Sequence, residues 1–437
     1  MCRSFSIFYK CIKGYKDRDP SRRFLAAKTD RNEIREEFYS VFFLVLLIAV
    51  VSAFLFVVFS DTISHILFDG ESYVVRITGF TVFIWALDWV FLNLLRAFRE
   101  MKKYALFMIG KIVCEMAVIV YLVSSGYGLF RILLFVLIVR IVLFGLLFYL
   151  VNRKVPFVIP RFSKIKEYLA FGLPTVPGNV SAWVVSSSGR YFIGYFLGAT
   201  SVGIYTVGYG LGSLPIMVVS ILGFVLPATL SHLYDNGKLD DVKKTLQYSL
   251  KYYLLVAIPF LFGTIVLAHN IIAVLATRDI ADKGYFITPL IALSSVFFGF
   301  HAITSQILVL VRKTKIIAGL WICAALANFG LNMLVVPYWG ILGAAITTII
   351  AYGIAMTLAM YFSFREFTYN IDWSFITKSI GASLVMALVL RSVNPSNLLS
   401  IVFSIVLGVM VYGIILVVLQ GFRKSEYVFV KKIVVSR

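Results

Sequence analysis

Apolar runs of about 20 residues, parted by short polar connections, repeat along nearly the whole chain; each is long enough to cross hydrocarbon as a helix. They fall at 38–60, 75–95, 104–124, 129–151, 168–197, 207–230, 252–268, 285–311, 316–336, 341–363, 374–390 and 398–420. Unpaired backbone groups are costly in lipid, so such runs span as helices. The pattern therefore predicts an all-α, polytopic membrane helix bundle of about twelve spans. The first 37 residues break the pattern, being polar and of mixed charge, and 30–37 reads as a surface helix entering the membrane. No uninterrupted apolar core precedes Phe38, so no signal peptide is expected.

Composition agrees, with 60% hydrophobic and only 14% charged residues. The formal net charge of +20 would suggest nucleic acid in a soluble protein. Here the basic residues sit between the apolar runs and alternate from one side to the other, as membrane orientation requires. With twelve spans, 33 of the 41 lysines and arginines fall on the side of both termini and 5 on the opposite side. That asymmetry predicts a cytoplasmic-membrane protein with both ends in the cytoplasm, and no nucleic-acid partner. Cys2, Cys11, Cys114 and Cys323 have no paired spacing, so neither a disulfide nor a metal framework follows.

The basic connections also expose an internal repeat. Lys103 precedes Gly128 by 25 residues and Lys315 precedes Gly340 by 25, so an offset of 212 superposes the first four spans on the seventh to tenth. Parallel repeats with a site at their interface are a transporter plan. The fifth and sixth spans find no counterparts, and the repeat predicts a chain that begins two helices short of a complete first half.

The stretch 171–209 departs most from lipid-compatible sequence. It opens on Phe171-Gly-Leu-Pro174-Thr-Val-Pro177-Gly178, continues through Ser186-Ser187-Ser188-Gly189-Arg190, and ends with Gly194, Gly198, Gly203 and Tyr205. An arginine at mid-membrane costs roughly 2.5–3.5 kcal/mol on an insertion scale, so Arg190 must face protein or water. This stretch, Leu95-Arg96-Ala97 with Tyr104, and the segment from Asn328 and Asn332 through Pro337, Gly340, Gly343-Ala344-Ala345 and Thr347-Thr348 to Tyr352 resemble the polysaccharide biosynthesis (Wzx-type, O-antigen) flippases. These belong to the multidrug/oligosaccharidyl-lipid/polysaccharide exporter superfamily. The resemblance covers most of residues 21–420 and implies a MATE-like, two-lobe transporter fold, here with the first helix pair apparently missing. It implies a cytoplasmic segment 1–37, an incomplete N-terminal lobe 38–151, a C-terminal lobe 168–363, two additional helices at 374–420 and a basic tail 421–437. Relatives commonly carry an acid just before the arginine, where this chain has Gly189.

The function implied is translocation of polyprenyl-phosphate- or diphosphate-linked oligosaccharide by alternating access, with polysaccharide polymerase or glycosyltransferases as further partners. The residues suit that chemistry, since cations in a watery cavity lower the barrier to a phosphate and arginine's fork matches its oxygens. Arg190 is the first candidate for substrate binding, followed by Arg140 and Lys111; each could instead pair with an acid. Lys111 and Glu115 are spaced i, i+4, which would neutralise them on one face. Asp88, midway along its span, could couple an ion or pair with a cation, and Glu115 is the second ion-coupling candidate. His301 reads as a packing histidine in preference to a proton relay. Asn328 and Asn332 read as amides tying helices together. No phosphate-cradling glycine loop, external domain or metal spacing is present, so neither an enzyme nor a cofactor is expected. Two other readings remain: a drug or cation antiporter of the same superfamily, which would need an acidic cavity, and a truncated, non-transporting scaffold.

Overall fold

A computed structural model describes residues 23–68, 70–97, 100–153, 158, 176–393 and 395–421. The first 22 residues, the proline-bearing entry at 171–174 and the basic tail from 422 onward lie outside them. The described chain is helical and divides into two compact units, Met1–Val176 and Pro177–Arg437.

The first unit holds α1 (Arg23–Val58), α2 (Ser60–Leu67), α3 (Ser72–Ala97), α4 (Met101–Ser124) and α5 (Leu129–Asn152). The surface helix expected at 30–37 is continuous with the first span, because no glycine or proline interrupts α1. Its apolar centre is aromatic. Phe91 of α3 meets Phe38 and Phe42 of α1 at ring-centroid distances of 5.6 and 5.4 Å, and Phe144 and Phe148 of α5 at 5.7 and 5.6 Å. Three of these contacts are close to perpendicular, the geometry that ring quadrupoles favour.

The second unit holds α6 (Val176–Gly212), α7 (Pro215–Asp235), α8 (Leu239–Leu275), α9 (Arg278–Gly284), α10 (Ile287–Thr304), α11 (Gln306–Leu310), α12 (Thr314–Phe364), α13 (Trp373–Arg391) and α14 (Leu398–Val418). Two of these fold back on themselves. In α12 the Thr347 hydroxyl donates to Asn332 Oδ1 at 2.8 Å. Fifteen residues of straight helix would separate the pair by about 22 Å, so the arms are antiparallel and turn at Gly340, whose φ of 57° an L side chain resists. In α6 the turn is Gly198, with φ 81°, and Arg190 reaches Tyr209 across it.

These turns explain the span count. Among the described residues ten helices are long and apolar enough to cross a membrane, against twelve expected. The ninth and tenth expected spans are the two arms of α12. The fifth falls in the first arm of α6, whose serines, glycines and Arg190 make it too polar to qualify. The sixth was expected to start at 207; the structure instead interrupts it between Gly212 and Pro215, so that 199–212 belongs to α6 and α7 carries the rest.

Small residues let the helices of the second unit approach. A Cβ on Gly212 would lie 2.5 Å from the Thr288 carbonyl oxygen, so the backbones of α6 and α10 approach closely there. At Gly299 of α10 a Cβ would enter the ring of Tyr253, whose hydroxyl donates to the Ser295 carbonyl at 2.6 Å. Gly299→Ala is expected to cost about 1–3 kcal/mol by overpacking. A fall in the thermal midpoint of the detergent-solubilised protein reads this directly; an unchanged midpoint refutes the packing assignment.

Lys251 ends the basic connection between the sixth and seventh expected spans, which carries Lys238, Lys243 and Lys244 as well. The structure carries α8 through that connection and buries the ammonium, which donates to Asp372 Oδ2 at 3.3 Å and the Gly421 carbonyl at 3.1 Å and lies 4.7 Å from the Phe375 ring centroid. Asp372 also caps α13 by accepting from the Phe375 amide. One cation thereby fastens the end of α14 and the start of α13 to α8. The outer face of α14 is bare and apolar, Leu399 being 81% exposed, as suits a helix bathed in lipid.

Candidate functional site

In the first unit Asp88, Lys111, Glu115 and Arg140 form two ion pairs that cross between helices. Lys111 of α4 bonds Asp88 of α3. Arg140 of α5 grips Glu115 of α4 with both ends of its fork, Nε to Oε1 at 2.9 Å and a terminal nitrogen to Oε2 at 3.0 Å. The expected Lys111–Glu115 neutralisation along one helix face is replaced by these interhelical pairs. The i, i+4 spacing does align both residues on one face of α4, but that face meets α3 and α5, which bring shorter-range partners. Asp88 is 1% exposed, and its second oxygen has no hydrogen-bond partner among the described residues. Both first-unit cations proposed to bind substrate are thus charge-compensated, and the two ion-coupling candidates are their partners.

Arg190 in the second unit differs. Among the described residues it makes no ion pair, and its buried Nε lacks a hydrogen-bond partner. Its guanidinium instead lies over the Tyr209 ring at 4.5 Å from the centroid, a cation–π contact. Tyr205 stacks obliquely on Tyr209 at 5.8 Å. Gly189 lies beside this ring, and a Cβ there would make ordinary van der Waals contact with the Tyr205 hydroxyl and the Ala344 methyl, each at 3.4 Å. Two tyrosine rings thus stand beside Gly189 and Arg190.

Ser188, two residues before the arginine, opens a buried amide network in which Asn328 Nδ2 finds no partner among the described residues. Ser188 donates to Asn328 Oδ1 at 2.6 Å, and the Asn332 amide nitrogen donates to the Asn328 carbonyl at 2.9 Å and Asn328 Oδ1 at 3.1 Å. With Thr347 donating to Asn332 Oδ1 at 2.8 Å, the network ties α6 to both arms of α12. All four side chains are buried, and the asparagines pair as the sequence suggested. His301 sits apart, its Nδ1–H donating to the Ala355 carbonyl at 3.1 Å and its ring edge-on to Trp321 at 4.7 Å. Asn332→Ala is expected to cost about 1–2 kcal/mol, summed over its interhelical bonds. The loss shows as a lowered unfolding midpoint that Asn332→Gln does not fully restore.

A model of the family described as polysaccharide biosynthesis protein matches residues 23–282, more than half of the chain. The chain belongs to the polysaccharide biosynthesis protein family. Two relatives of this family member from Haloferax volcanii are similar in sequence. One, named probable low-salt glycan biosynthesis flippase Agl15, is 22% identical over 256 residues, 56% of this chain and 54% of its own length. The other, named probable flippase AglR, is 24% identical over 239 residues, 52% and 49%. The chain spans about half the length of these curated relatives. In fold it is similar to the lipid II flippase MurJ in an inward closed conformation, with a TM-score of 0.69 at 17% identity over 95% of this chain and 87% of that one. It is also similar to an outward-facing MATE transporter of the MOP superfamily, with a TM-score of 0.56 at 15% identity over 74% and 76%. This polysaccharide biosynthesis protein thus shares the all-helical, MATE-like fold of those structures, which its sequence motifs implied.

Proposed function

We propose that the chain is a flippase that moves polyprenyl-phosphate- or diphosphate-linked oligosaccharide across the cytoplasmic membrane for polysaccharide or glycan assembly. The observation that carries this reading is Arg190, a cation within an expected span that has no acidic partner among the described residues, while Lys111 and Arg140 each have one. An uncompensated in-span guanidinium calls for an anion, and the phosphoryl group joining lipid to sugar supplies one. The family and the flippase names of its relatives support the same substrate class.

On this reading transport is by alternating access: the glycan and phosphate cross in a watery passage while the prenyl chain stays in lipid. Both termini face the cytoplasm, as the 33-to-5 distribution of basic residues favours, and no chemical bond is made or broken. Lys111 and Arg140 contribute to the anion path, and Asp88 and Glu115 to ion coupling, only in a state where their ion pairs open. The test is translocation of a fluorescent lipid-linked oligosaccharide in proteoliposomes holding this chain. Time-dependent protection of the label from an external quencher, above that of protein-free vesicles, supports the proposal. The protein-free rate, with the protein shown folded, overturns it.

A further inference from the structure

The first arm of α6 has a buried side, marked by Gly178, Val185, Gly189 and Ile193. At 100° per residue its opposite side carries Trp183, Ser187 and Tyr191 in consecutive turns, with Arg190 at the edge. The two aromatic side chains are 54% and 50% exposed. Their ring centroids lie 5.9 Å apart at an interplanar angle of 56°, so they form an open, splayed pair.

This face is ill suited to lipid. Trp and Tyr of membrane proteins gather at span ends, where the N–H and O–H meet water. Trp183 and Tyr191 lie in the interior of a helix arm that runs from Val176 to the turn at Gly198. Among the described residues neither the indole N–H nor the phenol has a hydrogen-bond partner, and a serine and an arginine share their strip. An apolar ring face edged by free donors matches a sugar, whose C–H face lies against an aromatic ring while its hydroxyls take hydrogen bonds.

We propose that Trp183 and Tyr191 form a sugar-stacking platform that receives the first sugar ring or rings of the lipid-linked glycan, next to the phosphoryl group held by Arg190. The proposal rests on the flippase reading and adds to it the residues that distinguish a glycosylated carrier from a bare one. Charge places the phosphate at Arg190, and the sugar is covalently adjacent to it. The helix places Tyr191 next in sequence and Trp183 seven residues away on the same side, about 10 Å along the axis, a span that the first two sugar rings beyond that anion would cover.

The experiment compares two probes on the full chain in detergent: a short-chain prenyl diphosphate bearing a neutral trisaccharide, and the same prenyl diphosphate without sugar. Trp183→Leu and Tyr191→Leu are each expected to weaken binding of the glycosylated probe about tenfold and leave the bare probe unchanged. Trp183→Phe, which keeps a ring, restores most of the affinity and controls for folding. Arg190→Ala weakens both probes. Equal affinity of the two probes for wild type, or equal losses for both in Trp183→Leu, overturns the platform while leaving an anion site at Arg190 intact. Failure of either probe to bind folded wild type overturns the platform together with the flippase reading.

Discussion

Asp88→Ala is expected to destabilise the protein by about 3–5 kcal/mol, the largest stability loss foreseen for a single substitution here, because it strands the Lys111 ammonium in a site that admits almost no solvent. Lys111→Met should cost a similar amount by stranding the carboxylate. The double variant Asp88→Ala, Lys111→Met removes both charges and is expected to recover most of the loss, since a buried ion pair contributes little more than a well-packed apolar pair. Unfolding midpoints of the four proteins in one detergent close the cycle. Additive losses in the double variant would show that the two side chains act independently and would refute the pairing. The same cycle on Glu115 and Arg140 should give a smaller coupling, because both side chains keep partial solvent contact.

Arg190→Ala is expected to reduce translocation of the glycosylated lipid by about 10- to 100-fold, the loss of one or two charge-assisted hydrogen bonds to the phosphoryl group. Stability should change little or improve, because the guanidinium makes no ion pair among the described residues and contributes mainly its contact with Tyr209. Arg190→Lys keeps the charge but loses the fork, so it should retain an intermediate rate. A folded Arg190→Ala protein with the wild-type rate would remove the observation on which the proposed function stands. Taken with the Asp88 cycle, the two outcomes separate paired charges that hold helices from an uncompensated charge available to substrate.

The two sets of charges also show how far residue types alone lead. Lys111, Glu115, Asp88, Arg140 and Arg190 stand out in sequence because charge in an apolar run is expensive and must be answered somewhere. Which partner answers it depends on the rotation of neighbouring helices, and the local spacing pointed to Glu115 for Lys111 where the structure supplies Asp88. Tyr209 gave no signal of this kind. It is one of 24 tyrosines, and only the fold-back at Gly198 brings its ring over an arginine 19 residues earlier. Trp183 and Tyr191 were likewise silent, since exposure on one side of a helix is not visible until the other side is packed.

What the sequence by itself determined is the class: helices that cross a membrane, their approximate ends and, through its motifs, the family. Those follow from transfer free energies and hydrogen-bond satisfaction, which act residue by residue along the chain. The tertiary structure decided where the long helical segments double back at Gly198 and Gly340, that Lys251 is a buried clamp, and which in-span cations are answered by acids among the described residues. These depend on distances between residues far apart in the chain, and such distances are set by packing of whole helices against one another.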